Sequence, residues 1–158
     1  MIEQFCDWLS STRLSLAFQT ADWFVPAVQT IHILAIGMLL VASFLVAFKI
    51  MGFGKESIDA VVARHMPWIW SALLVLLLTG SLLTITEPAR ELLNWVFRTK
   101  MLLVLTLAAL LVAVQHSARK PVGASAPATG RGTRRTIGCA ILAIGCCIVV
   151  AGRWIAYA

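Results

Sequence analysis

Charge is what this sequence has least of. Only 13% of its residues are charged, while 60% are hydrophobic; a soluble domain is nearer about 25% and roughly 45–50%. A chain of 158 residues has too little interior to hide that much apolar surface from water. Soluble-enzyme signatures are also missing. There is no glycine-rich phosphate loop, no GxSxG and no HExxH, which removes the familiar nucleotide, serine-hydrolase and zinc-protease chemistries. No CxxC or other zinc spacing occurs. Cys139 and Cys146 are seven residues apart on one helix face, roughly 10 Å by helical rise and too far to bridge. With Cys147 they read as small packing residues. Strands of period-two alternation, which an outer-membrane barrel needs, are not seen. The first 22 residues carry Glu3, Asp7, Arg13 and Asp22 in place of the basic start and short apolar core of a cleavable signal peptide.

What the sequence does have is four long apolar runs, at about 24–50, 67–86, 96–114 and 137–156. Each is close to the roughly 20 residues that cross about 30 Å of hydrocarbon. No charge interrupts the middle of any run. Lipid offers the backbone no hydrogen bonds, so runs of this length must be helices. The expected fold is all-α, a single integral membrane domain built as a four-helix transmembrane bundle. Residues 8–23 fit a short amphipathic helix lying on the membrane surface, or a plain lead-in anchored by Trp23. Ser57 is placed to cap a short helix ending before Pro67. The stretch 120–135 is rich in Pro, Gly, Ala and Ser and is expected to be a flexible linker. On the fourth run, Gly138, Gly145 and Gly152 recur every seven residues, a stripe of small residues suited to close helix packing.

The net charge of +6 implies topology, and no nucleic-acid partner is expected. The segment from Lys49 to Arg64 holds three Lys/Arg and that from Ser117 to Arg135 holds five. These first and third loops share one side, and loops rich in positive charge stay in the cytoplasm. The expected topology is N-out and C-out, with Arg98, Lys100 and Arg153 as outer-side exceptions. The basic linker then meets anionic headgroups of the bilayer.

Polar residues within spans are costly and are candidates for function. His32 lies about two turns inside the first run, with Gln29 on its face one turn earlier. Lys100 opens the third run and Arg153 closes the fourth, so the topology gathers His32, Lys100 and Arg153 at one depth, with Glu87 nearby. His32 is the candidate metal ligand. Bonding to a neighbouring helix is its plain structural alternative, and headgroup snorkelling is that of Arg98 and Arg153. His65 and His116 form a second candidate pair at the cytoplasmic ends of adjacent runs, placed either to clamp a b-type haem between two axial histidines or as solvated interface residues.

Four stretches carry a resemblance: PAVQTIHILAIGMLL, RHMPWIWSALLVLLLTGSLL, NWVFRTKMLLVLTLAALLVAVQH and AGRWIAYA. Together they resemble a group of small four-span bacterial inner-membrane proteins classed as a domain of unknown function. More distantly, the His of the first run, the Thr79–Gly80 pair of the second and the Lys opening the third are similar to the copper-resistance D membrane domain. The wider group includes the haem-binding HemJ-type protoporphyrinogen oxidases. That similarity carries over His32 and Lys100 alone. The spacing from Lys100 to the next His departs from the HemJ-type pattern, and Met38 and Met101 are isolated where copper handling favours Met clusters.

The resemblance implies a bacterial inner-membrane protein. The leading expectation is a membrane subunit of a redox or transport system, without a soluble catalytic domain of its own, binding haem b or copper. In it His32 is the ligand or proton-active residue, and Lys100 and Arg153 supply positive charge to an anion such as a propionate. A second expectation is a structural protein that docks a membrane or periplasmic partner, or a second copy of itself, through the glycine face of the fourth run. A third is a porphyrin- or quinone-linked oxidoreductase.

Overall fold

A computed structural model describes residues 2–118 and 131–154. Within them the chain is all-α, with the order α1 (Ile2–Ser10), α2 (Arg13–Thr20), α3 (Phe24–Ile50), α4 (Ile58–Thr86), α5 (Pro88–Leu92), α6 (Trp95–Ala118) and α7 (Arg131–Trp154). Four of these helices, α3, α4, α6 and α7, are long and apolar enough to cross a membrane. The protein is a multi-pass membrane protein.

The spans pack as a row that nearly closes on itself. α3 lies against α4 on one side and α7 on the other, α7 carries α6, and α6 touches α4 only lightly. Leu39, Ala42, Val46, Ala47 and Ile50 of α3 meet Val61, Val62, Met66, Ile69 and Ala72 of α4 in the buried core. Leu107, Leu111 and Val114 of α6 and Ile141 and Ile148 of α7 complete it. Most of this apolar core therefore occupies the half of the bundle that holds the α3–α4 turn. Large side chains such as Ile33, Leu34, Leu74, Leu77, Leu102, Leu105 and Val150 are exposed, as expected where the surrounding solvent is hydrocarbon.

Small residues set the closest approaches. Gly138 is buried, and a Cβ there would lie 3.0 Å from the Ala47 carbonyl oxygen. A Cβ on Gly145 would lie 2.9 Å from the Phe44 ring. The glycine stripe of α7 is therefore filled at these two positions by α3 of the same chain. At these positions the close contact is between two helices of the same chain.

Three local expectations change. α4 does not stop before Pro67. Ser57 caps it as expected, its hydroxyl accepting from the Ala60 amide at 3.3 Å, but the helix runs through Pro67 to Thr86. Proline removes one backbone donor, yet Val61, Val62, Met66, Ile69 and Ala72 form one continuous buried stripe that a break would interrupt. Residues 8–23 are not one surface helix. The hydroxyls of Ser10, Ser11 and Thr12 donate to the carbonyls of Asp7, Trp8 and Leu9, ending α1, and Thr12 then caps α2. Such short side chains compete with the helix for its own backbone. Residues 131–135 of the expected linker form the start of α7; residues 119–130 lie outside the described residues.

α2 returns to the bundle and closes the far end of α4. The last carbonyls of a helix have no partner within it. Ser15 Oγ donates to the Ile85 carbonyl at 2.8 Å. Gln19 Nε2 donates to the Thr86 carbonyl at 2.9 Å and to Ser15 Oγ at 3.0 Å. α1 packs beside α5, burying Cys6.

Candidate functional site at the α2 end of the bundle

The site is built around His32 on α3. Its Nδ1 lies 2.7 Å from Thr79 Oγ1 on α4. Thr79 is buried, and its hydroxyl also lies 2.7 Å from the Val75 carbonyl one turn back. A hydroxyl has a single proton, and a carbonyl can only accept. The Thr79 proton is therefore assigned to Val75, and Nδ1–H of the imidazole donates to Thr79 Oγ1. In that neutral tautomer Nε2 is the nitrogen with the open lone pair. Gly80 makes room for the ring: a Cβ there would lie 3.6 Å from His32 Cε1. Thr79 and Gly80 thus form a shelf, one residue holding the imidazole and the next letting it lie close.

Lys100 enters from α6. It is partly buried, and a Cβ on Gly152 of α7 would lie 3.8 Å from its Nζ. Its charge reaches His32, and Glu91 on α5 reaches Lys100. One end of the bundle thereby assembles an imidazole, a hydroxyl, an ammonium and a carboxylate from four helices. A lysine among spanning helices is costly and is a candidate for function.

The expected outer-side group is brought together in part. His32 and Lys100 share the site. Arg153 is exposed, next in sequence to the Gly152 that packs on Lys100. Arg98 is exposed and donates to the Leu92 carbonyl at 3.4 Å. Gln29 is exposed, so the polar partner of His32 is Thr79. Thr79 and Gly80 carried no weight in the sequence beyond their resemblance to a known pair. Glu91 was not singled out at all, since a carboxylate in a short loop has no spacing that marks it.

The second histidine pair lies toward the other end. His65 Nδ1 donates to the Val61 carbonyl of its own helix at 2.8 Å. His116 is exposed. No hydrogen bond joins the two among the described residues; Trp70 Nε1 donating to Gln115 Oε1 at 3.2 Å is the polar link between α4 and α6 there.

These donors fit some groups and not others. Among the described residues, no three His, Cys, Asp or Glu side chains stand together as a metal-binding set. A copper ion at His32 would therefore lack a set of three such ligands among the described residues, so the residues do not fit it. A haem would ask for less, since a single histidine can serve as its protein ligand; His32 would be that residue, and Lys100 the cation for a propionate.

Compared with known proteins, the chain matches no family model, no curated protein and no solved structure.

Proposed function

We propose that this chain is a multi-pass protein of the bacterial inner membrane, N-out and C-out, which serves a redox or transport system by binding an anionic, membrane-soluble cofactor at its outer end. A b-type haem with a single histidine ligand is the cofactor that this donor set suits. His32 Nε2 would hold the iron, Thr79 would fix the ring, and Lys100 would pair with a propionate. Such a haem supplies one-electron chemistry. The carrying observation is the His32–Thr79 hydrogen bond, because it occupies Nδ1 and so leaves the lone pair of Nε2 for a ligand. The basic loops on the opposite side support the orientation.

The test is a haem titration of the purified full-length protein, followed by a reduced-minus-oxidised visible spectrum. A saturable Soret band that His32→Ala abolishes is expected. No band in protein supplied with excess haem, or a band unchanged in His32→Ala, overturns the proposal.

One observation favours a second reading. Ring and helix fit closely at Gly80, and a histidine bonded across two helices stabilises a bundle by itself. In that reading His32 is an interhelical tie and the site binds nothing. His32→Ala would then lower thermal stability in protein that takes up no haem at all.

A further inference from the structure

The opposite end of the bundle carries a separate feature. A cavity of about 490 Å³ opens between the turn that follows α3 and the first turns of α7, lined in part by Lys49, Met51, Gly52, Glu56, Arg134 and Arg135. The turn is shaped by Gly52 and Gly54, whose φ angles of 99° and 82° favour glycine. Lys49 is drawn into the turn, its Nζ donating to the Gly54 carbonyl at 2.9 Å. That acceptor is a neutral carbonyl, so the bond pairs the lysine with no acid. Arg134 and Arg135 have no acidic partner among the described residues. Glu56, the one acid on the cavity wall, is paired to Arg64 with 3.2 Å between nitrogen and oxygen. Three cations from two elements therefore face one opening, and the nearby carboxylate is spoken for.

The position selects the anion. The cavity lies where α3 ends and α7 begins, at the level where a spanning helix leaves hydrocarbon. Ile50, Met51 and Ile58 supply apolar wall beside the charges. A ligand for such a place has a negative head and an apolar body.

We infer that this cavity binds the phosphate of an anionic phospholipid headgroup, held by Lys49, Arg134 and Arg135, with its acyl chains running down the neighbouring apolar surface. The site is independent of the His32 site, and its loss leaves that proposal untouched. Basic pockets between spanning helices recognise lipid headgroups through this combination of charge and depth. A free phosphate ion offers the same head without the body.

The experiment is native mass spectrometry of the full-length protein from mild detergent, supplied with phosphatidylglycerol, with phosphatidylcholine, or with inorganic phosphate. Retention of phosphatidylglycerol well above phosphatidylcholine is expected. Arg134→Gln and Arg135→Gln, both at exposed positions, should each weaken it by roughly fivefold. Lys49→Gln should do the same. Lys55→Gln, a basic change outside the cavity, should leave it unchanged. Equal retention of the two lipids, equal loss in Lys55→Gln, or no loss in the arginine variants overturns the inference. Inorganic phosphate that displaces phosphatidylglycerol at low millimolar concentration overturns the lipid assignment. Circular dichroism of each variant establishes that the helices persist; if one arginine variant unfolds, the other decides.

Discussion

His32 and Thr79 face each other across the α3–α4 contact at 2.7 Å, and Thr79 spends its own proton on its helix. That relationship sets the tautomer of the one histidine lodged within the spans at this end. It also joins the two helices with the most extensive contact in the bundle.

Thr79→Val tests the relationship directly, because valine keeps the shape and removes the acceptor. Interhelical hydrogen bonds in membranes average about 0.6 kcal/mol and reach about 1.7, so the loss of stability should be small. Haem affinity should fall roughly 10–100-fold, as when a ligating histidine loses its orienting partner. Thr79→Ser should restore most of it. A titration in which all three proteins bind alike would separate Thr79 from the site.

Lys100 should act on affinity without acting on iron ligation. Lys100→Met is expected to weaken haem binding about tenfold, the worth of roughly 1.4 kcal/mol, while the Soret position stays that of the parent. Lys100→Arg should retain binding. A shifted band in Lys100→Met would mean that the lysine touches the metal environment itself.

The α7 glycines differ sharply from Gly37 in what they tolerate. A Cβ at Gly145 meets Phe44 and Leu40 at 2.9 and 3.1 Å, whereas nothing lies within 4 Å of one at Gly37. Gly145→Leu should destabilise the folded protein by about 1–3 kcal/mol through overpacking. Gly37→Ala should be neutral or stabilise it by about 0.5 kcal/mol, since alanine loses less backbone freedom in a helix. Thermal unfolding in detergent measures both.

The N-terminal arm should report on the end of α4. Ser15→Ala with Gln19→Ala strips the donors from the Ile85 and Thr86 carbonyls. Amide hydrogen exchange should rise in α2 and α5 and in the last turn of α4, while the α3–α4 core around Val46 and Ile69 stays protected. Unchanged exchange at α2 would mean that apolar contact alone holds the arm.

Orientation is checked by reporter fusions. An enzyme active only outside the cytoplasm should work when fused at the C-terminus and fail when fused after Gly54. The reverse pattern would place the His32 site on the cytoplasmic side.

The four crossings and the all-α class were legible in the residues themselves. Lipid removes every choice but helix for a run such as Phe24–Ile50, and hydropathy is a property of composition that needs no partner. The Ser57 cap was legible for the same reason, being satisfied within four residues. What the chain does around Pro67 was not. A proline argues locally for a break, and only the stripe from Val61 to Ala72 packing on α3 outweighs it. The glycines of α7 were visible as a stripe, but whether they faced another chain or this one depended on where α3 lay. His32 and Lys100 stood out because polar side chains in spans are costly. Their partners did not stand out as such: Thr79 and Gly80 entered only through a resemblance, Gly152 only as a packing glycine and Glu91 not at all, until helices far apart in sequence bring them to one end. Sequence alone determined how many times this protein crosses the bilayer. The tertiary structure decided what meets His32, because a hydrogen bond between helices depends on their register and rotation, which local pattern does not encode.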